Sequence, residues 1–197
     1  MSAALISIIG PPASGKTTTA EWLSQALPAR LIREDYAGNP FLEGAYLGRR
    51  EFALRAQLYF LFSRLSQLDL ATWPETGPAA SDYGFCQDAI YAASNLSAED
   101  LVVYRRLAEP GAKTVKPPDL LIALDGDEKI LLERIARRRR RHELTFTPEF
   151  MNGLRQAYRE VVAAADCPVL SVDVCAVDLL AADARAKLIG EVREALE

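Results

Sequence analysis

Residues 10 to 17 carry a pattern that is typical of phosphate-binding loops. Their sequence, GPPASGKT, fits G-x-x-x-x-G-K-[ST], in which backbone N–H groups surround the phosphates of a nucleotide. In this pattern Lys16 contributes a positive charge for the β- and γ-phosphates, and the Thr17 hydroxyl is placed to bind Mg²⁺. We therefore expect a nucleotide site made by consecutive residues: Gly10, Pro11, Pro12, Ala13, Ser14, Gly15, Lys16, Thr17 and Thr18.

The segments on either side of this loop have the patterns that a phosphate loop requires. Residues 4 to 9 form an apolar run that predicts a buried strand, and residues 17 to 27 predict the helix that follows. A phosphate at the start of a helix interacts with unpaired N–H groups and with the positive end of the helix dipole. A glycine-rich turn that binds no ligand is the alternative, and the four fixed positions in this strand–loop–helix order favour the nucleotide site.

The rest of the chain alternates between predicted strands and predicted helices. Further strands are predicted at residues 30–33, 79–81, 118–125 and 168–172, and further helices at residues 52–70, 97–109, 127–141 and 179–196. This alternation favours an α/β fold in which a parallel sheet has helices on both faces. With 197 residues, the chain is expected to form one domain over residues 1–197.

The composition favours a protein whose partners are small molecules. Half of the residues are hydrophobic, a quarter are charged and the formal net charge is −4, which argues against a surface for nucleic acid or for an acidic membrane. The chain shows no basic leader and no apolar stretch of membrane-spanning length, so we expect a cytoplasmic protein. Cys86, Cys167 and Cys175 have neither disulfide nor zinc spacing, and we expect reduced thiols that are mostly buried.

Two large classes of phosphate-loop protein are disfavoured by the remaining motifs. A GTPase is expected to carry N-K-x-D, but Asn39, Asn95 and Asn152 are not followed by lysine. A mechanical ATPase is expected to end a hydrophobic strand in Asp-Glu, whereas Asp125 is followed by Gly126. These two exclusions leave a small kinase as the favoured class.

Several further segments, taken in order, resemble the deoxyribonucleoside kinase family, whose members phosphorylate the 5′-hydroxyl of deoxynucleosides. The segments are Glu34-Asp35, 39–43 (NPFLE), Tyr46, 52–64 (FALRAQLYFLFSR), 81–83 (SDY), 90–96 (IYAASNL) and the arginine-rich run before Glu143. The resemblance covers essentially the whole chain. It implies a P-loop kinase fold with a five-stranded parallel sheet, ATP and Mg²⁺ as cofactors, a nucleoside substrate and commonly a homodimer.

The resemblance also implies roles for individual residues. Glu34 stands at the place of the family's general base, and a sugar hydroxyl does need a carboxylate nearby to accept its proton. Gln57 and Arg64 match base-reading positions seven residues apart on one helix. Tyr46 and Glu143 match the residues that bind the sugar 3′-hydroxyl, and Asp88 and Tyr91 are expected on the opposite wall of the pocket, although the family's spacing there is one residue longer.

The five arginines from Arg137 to Arg141 are expected to belong to a lid over residues 137–147. Alone, such a run is equally typical of a solvated helix end. In the family this segment closes over ATP, which implies that Arg138 and Arg140 bind phosphate and act in catalysis, while Arg137, Arg139 and Arg141 face solvent. His142 is interpreted as a surface residue of the lid.

One segment departs from the family pattern. Asp82 retains the acid that the family places near Mg²⁺, so that Thr17 and Asp82 are the expected metal ligands, but Tyr83 stands where many relatives have an arginine. Either another lid arginine takes over that charge, or the immediate surroundings of the site differ. Asp125 is the rival acid, and we interpret it as a strand end before the helix cap Asp127.

Two alternative functions stay open at this point. A nucleoside monophosphate kinase of the thymidylate kinase type has a similar sheet and lid, but it usually has an arginine just after the second strand, where this chain has Asp35 and Tyr36. A catalytically silent nucleotide-binding module would be expected to lack Lys16, Thr17 or Glu34, and all three are present. The preferred base and the choice between ATP and GTP are not determined by these patterns.

Overall fold

Five parallel strands form the centre of the protein, in a computed structural model that describes residues 3–196 apart from the side chains of Arg141 and His142. The strands are β1 (Leu5–Ile9), β2 (Arg30–Ile32), β3 (Ala79–Ser81), β4 (Leu120–Asp125) and β5 (Val169–Asp173), and their order in the sheet is β2-β3-β1-β4-β5. The predicted fold class is confirmed, and each predicted strand is present within about two residues of its expected ends. The solvent exposure expected for Arg141 and His142 concerns side chains outside the described residues.

Within residues 3–196, eight α-helices connect and cover these strands. They are α1 (Lys16–Ala26), α2 (Leu42–Tyr46), α3 (Arg50–Gln67), α4 (Cys86–Asn95), α5 (Ala98–Ala112), α6 (Glu128–Arg138), α7 (Pro148–Ala163) and α8 (Ala182–Leu196). The patterns had not indicated α2, α4 or α7. For α7 a local signal exists, because Thr147 caps the first turn by accepting a hydrogen bond from the Phe150 N–H and Pro148 occupies the first turn.

The helix before the lid is shorter than the sequence predicts. It ends at Arg138 rather than at residue 141, because Arg139 adopts a left-handed conformation with φ of 53°. Asp127 caps its start as expected, since its side chain accepts a hydrogen bond from the Lys129 N–H. The residues from Arg141 to Thr145 then form a 3₁₀ turn, so the lid begins with a change of direction.

Both faces of the sheet are buried. Ile6 and Ile8 of β1 belong to the core that contains α1, α6 and α8, whereas Leu5 and Ile9 belong to clusters on the other side. This two-sided burial explains why β1 is a continuous apolar run. Within the described residues, no helix is long and apolar enough to span a bilayer.

The strand order brings three loops to one edge of the sheet. Since β1 lies between β3 and β4, the loop after β1 starts where the chain order reverses, which is the place at which parallel sheets bind ligands. The segments after β2 and β3 end beside it.

The expectation of mostly buried thiols is wrong, because Cys86 and Cys167 are half-buried and Cys175 is exposed.

Candidate active site

A cavity of about 750 Å³ opens at the carboxyl edge of the sheet. Most of the predicted site residues line it, namely Pro12, Ala13, Gly15, Lys16, Thr17, Thr18, Glu34, Tyr46, Gln57, Arg64, Asp82, Tyr91, Arg138, Arg140 and Glu143. Four do not: Gly10, Pro11, Ser14 and Asp88. The fold therefore gathers residues from the first, second and third strand ends, from α3 and from the lid around one space.

The backbone of the phosphate loop favours glycine at two positions. Gly10 and Gly15 have φ values of 143° and 102°, and a side chain at Gly10 would collide with the backbone carbonyl of Leu124. The ammonium group of Lys16 donates hydrogen bonds to the carbonyl oxygens of Gly10 at 2.7 Å and Pro11 at 3.0 Å. Burial lowers the pKa of Lys16 to about 8. The loop thus holds an enclosed positive charge beside its own N–H groups.

Asp82 joins the phosphate loop to the end of β2. One oxygen of its carboxylate accepts a hydrogen bond from the Thr17 hydroxyl at 2.6 Å, and the other accepts from the Glu34 backbone N–H at 2.7 Å. Burial raises the pKa of Asp82, although the hydrogen bond from Thr17 opposes this shift. A hydroxyl oxygen and a carboxylate beside a phosphate loop are donors that suit Mg²⁺.

Glu34 is held by two side chains. The guanidinium of Arg64 forms a salt bridge with Oε1 of Glu34. The same oxygen accepts a hydrogen bond from Nε2 of Gln87 at 2.8 Å. The arginine that pairs with Glu34 therefore comes from α3 and not from the lid. Tyr83 points its hydroxyl elsewhere, to Oε1 of Gln67 at 2.6 Å, while its ring lies 5.6 Å from the Arg64 guanidinium.

Arg64 lies between two carboxylates. Besides Glu34, it forms a salt bridge with Asp88, and its side chain is only 3 % exposed. Burial acts to lower the pKa of Arg64, but the charges of Glu34 and Asp88 outweigh it and raise that pKa. Arg64 is therefore a permanent cation whose two ends are already engaged.

Asp88 differs from its expected place on a cavity wall. It is fully buried behind Gln57 and Arg64, and its second carboxylate oxygen accepts a hydrogen bond from the Tyr104 hydroxyl at 2.8 Å. Burial raises the pKa of Asp88, and Arg64 opposes this shift. Because the carboxylate does not line the cavity, it can act on a ligand only through the residues that it holds.

Gln57 lines the cavity, and the NH₂ group of its side chain is already hydrogen-bonded within the protein. Its Nε2 donates to the backbone carbonyl of Asp88 at 3.0 Å and to the Asp88 carboxylate at 2.8 Å. Both hydrogens of the amide are thus used within the protein, so the carbonyl oxygen is the group of Gln57 with capacity for a ligand.

The lid arginines and Glu143 form a compact cluster. Arg138 donates from Nε to Glu143 at 2.5 Å, and Nη1 of Arg140 lies 3.5 Å from the other carboxylate oxygen of Glu143. The Arg140 guanidinium also lies over the Tyr36 ring at 4.5 Å. Arg137 projects outward, as expected, since its side chain is 80 % exposed. The two arginines assigned to phosphate are thus already paired with a carboxylate.

Tyr46 and Tyr91 also line the cavity. The Tyr46 ring packs edge-on against Phe146 of the lid, with 5.2 Å between ring centres. Burial raises the pKa of both tyrosines, so their hydroxyls stay protonated at neutral pH. Both can therefore donate a hydrogen bond to a ligand.

Gln87 and Arg134 are among the cavity residues that the sequence analysis did not assign to the site. Gln87 lies in the first turn of α4, where no pattern marked a helix. Arg134 lines the cavity one turn before Arg138 on α6, and the four-residue spacing between the two arginines was the available signal. The rival acid Asp125 lies outside this cavity and forms salt bridges with Arg155 and Arg159.

Comparisons with known proteins agree on one family. A family model described as deoxynucleoside kinase matches residues 6–197. The chain is 28% identical over 180 residues to a deoxyguanosine kinase of Bacillus subtilis (strain 168), covering 87% of each chain. It is also 28% identical over 185 residues to a deoxyadenosine/deoxycytidine kinase of the same organism, covering 89% of this chain and 85% of the relative.

A solved structure shares the fold. A deoxyadenosine kinase from M. mycoides with bound dATP superposes with a TM-score of 0.82 over 96% of this chain and 99% of its own, at 23% sequence identity. At that identity the likeness concerns the fold alone.

Proposed function

Since this chain belongs to the deoxynucleoside kinase family, we propose that it transfers the γ-phosphoryl group of ATP to the 5′-hydroxyl of a deoxyribonucleoside. Phosphorylation of nucleosides is the activity common to that family; ATP as donor and a deoxynucleoside as acceptor are the proposed parts. The observation that carries the proposal is the position of Asp82, whose carboxylate contacts both Thr17 of the phosphate loop and the backbone of Glu34. The phosphate loop and the candidate general base, Glu34, are thus connected through one carboxylate.

On the donor side, the loop from Gly10 to Thr18 would surround the phosphates of ATP. Lys16, Arg138 and Arg140 would neutralise the charge of the transferring group, and phosphoryl transfer depends mainly on such positioning and charge stabilisation. Thr17 and Asp82 would hold Mg²⁺, which supplies further neutralisation of phosphate charge when it is bound.

On the acceptor side, Glu34 would accept the proton of the 5′-hydroxyl as the phosphoryl group arrives. Gln57, Arg64 and Tyr91 would contact the base, and Tyr46 with Glu143 would bind the 3′-hydroxyl. We propose that Asp88 contributes indirectly, because it is buried behind Gln57 and Arg64 and fixes both.

We further propose that the chain folds as a single domain, with residues 137–147 as its lid, and works as a cytoplasmic homodimer. Exposed apolar side chains on the neighbouring helices α3 and α5 support the dimer, namely Phe62, Val102, Val103 and Leu107. Three free cysteines fit a reducing compartment. Sedimentation equilibrium checks the assembly: a mass near twice 21.7 kDa is expected for the wild type and a smaller one for Val102→Glu.

A coupled kinase assay tests the activity. The panel contains the four deoxynucleosides and their 5′-monophosphates, each with Mg²⁺ and with ATP or GTP as donor. We expect turnover of at least one deoxynucleoside with ATP and a loss of about 10²- to 10⁴-fold in Glu34→Gln. Phosphorylation of a monophosphate alone would exclude the proposal and favour a monophosphate kinase.

A further inference from the structure

The carboxylate of Glu34 has a second contact that none of the proposed roles uses. Nε2 of Gln87 donates to it at 2.8 Å, and Oε1 of Gln87 accepts a hydrogen bond from the hydroxyl of Tyr158 at 2.8 Å. Gln87 and Tyr158 are each only 4 % exposed. A buried chain of hydrogen bonds therefore runs from α7 through α4 to the carboxylate at the end of β2.

The direction of this chain is set by its chemistry. An ionised carboxylate only accepts hydrogen bonds, so Gln87 must turn its NH₂ group toward Glu34 and its carbonyl toward Tyr158. Tyr158 must then donate. Burial raises the pKa of Tyr158 well above its ordinary value, so the hydroxyl keeps its proton. The opposite orientation of the amide would place two acceptors face to face next to Glu34.

We propose that Gln87, oriented by Tyr158, is a positioning residue that holds the Glu34 carboxylate toward the acceptor hydroxyl. The inference rests on the proposed role of Glu34 as general base. Arg64 also contacts Glu34, but its guanidinium forms a salt bridge with Asp88 as well. Gln87 contacts Glu34 from α4 and Arg64 contacts it from α3, so that the carboxylate is fixed from two elements.

Two variants of Gln87 separate hydrogen bonding from packing. Gln87→Met keeps most of the volume but loses the donor. Gln87→Glu keeps the shape and an acceptor for Tyr158, but it faces Glu34 with a second carboxyl group. We expect both to lower kcat by about 10- to 100-fold with less than about a threefold change in the acceptor KM, because small displacements of a reacting group cost about that much.

Tyr158→Phe removes only the hydroxyl. We expect it to lower kcat as well, but by a smaller factor than the Gln87 variants. Gln156→Met is the matched control, since Gln156 is an exposed glutamine on the same helix as Tyr158, and its kcat should equal that of the wild type. In a Glu34→Gln background, Gln87→Met should lower kcat by no more than about twofold, because no base is left to position.

A crystal structure of Gln87→Met tests the geometry independently of turnover. We expect its Glu34 carboxylate to leave the place that it occupies beside Arg64. A Glu34 carboxylate that stays in place, or a Gln87→Met variant with normal kcat and a raised KM, would overturn the inference. If the wild type turns over no deoxynucleoside but the carboxylate moves in Gln87→Met, the proposed function alone fails.

Discussion

The hydroxyl of Thr17 donates a 2.6 Å hydrogen bond to the carboxylate of Asp82, 65 residues further along the chain. The same carboxylate accepts from the backbone N–H of Glu34, so the end of β3 connects the phosphate loop to the end of β2. A single carboxylate thus connects the phosphate loop with the candidate general base Glu34.

Asp82→Asn should lower kcat by at least about 100-fold and raise the Mg²⁺ concentration needed for half-maximal rate, because an amide is a weaker ligand than a carboxylate. The measurement is turnover against Mg²⁺ concentration. Asp125→Asn is the matched control, since Asp125 ends β4 but pairs with Arg155 and Arg159. An equal change of Mg²⁺ dependence in the two variants would remove Asp82 from the metal site.

Lys16→Met should abolish most turnover yet stabilise the ligand-free protein at neutral pH. Below pH 8, Lys16 is charged in both the folded and the unfolded chain, and folding carries the full cost of burying the charge. Between about 8 and 10.5 the folded protein releases this proton while the unfolded chain retains it, so the free energy of unfolding rises with pH.

We expect Lys16→Met to raise the free energy of unfolding by about 1–2 kcal/mol at pH 7. This is less than the full pKa shift of Lys16 implies, because its side chain keeps some exposure. That corresponds to a rise of roughly 2–8 °C in Tm for a chain of this size. Thermal unfolding of both proteins at pH 7 and pH 10 measures it, and most of the difference should disappear at pH 10. A difference that is the same at both pH values would show that charge burial is not its cause.

Glu34→Gln should lower kcat by about 10²- to 10⁴-fold while deoxynucleoside affinity weakens much less, because the amide keeps the size but accepts no proton. Single-turnover kinetics and equilibrium binding separate the two quantities. Asp35→Asn serves as the control, since the Asp35 carboxylate accepts a hydrogen bond from Tyr59 and not from Arg64. A large loss of affinity at an unchanged rate would make Glu34 a binding residue.

Tyr46→Phe should erase much of the discrimination against 3′-deoxy analogues. In the wild type such an analogue leaves Tyr46 and Glu143 without a ligand hydroxyl, and each lost partner costs roughly 1–3 kcal/mol, or about tenfold to a hundredfold in kcat/KM. The ratio of kcat/KM for a deoxynucleoside and its 3′-deoxy analogue is the measurement. Gln57→Ala should instead change the ranking of the natural bases, and an unchanged ranking would contradict its assignment.

Arg64→Met should destabilise the fold by about 3–5 kcal/mol, because it leaves the buried Asp88 carboxylate without its cation. Adding Asp88→Asn should restore part of this loss, since the double variant buries no unpaired charge. Urea unfolding of the two single variants and the double variant gives the comparison. A double variant that is less stable than Arg64→Met would show that the pair is not coupled in this way.

Local patterns along the chain were sufficient to predict the five strands and the phosphate loop. The phosphate loop from Gly10 to Thr17 is a contiguous motif, and the run from Leu5 to Ile9 is apolar throughout because both sheet faces are buried. Asp127 was recognisable as a helix cap because a cap acts on residues two positions away. Such features depend on a few neighbouring residues, so that one sequence displays them directly.

The end of α6 and the packing of α7 were not predicted from the sequence. The arginine run continues a helical composition to residue 141, but Arg139 turns the backbone into a left-handed conformation at the base of the lid. Helix α7 packs against α4 and α6. Its sequence has the amphipathic pattern of such a helix, but the pattern does not indicate which elements it contacts. Helix ends and packing partners depend on contacts that are distant along the chain.

The side-chain network of the site was decided by the tertiary structure alone. Arg64 was visible in the sequence, but its pairing with Glu34, 30 residues away, arises because the fold brings α3 beside the segment that follows β2. The burial of Asp88 and the contact of Gln87 with Tyr158, 71 residues away, likewise depend on how α4 packs between α3 and α7. Sequence periodicity indicates which face of a helix is buried, whereas a hydrogen-bond partner is set by where another element places its own polar group.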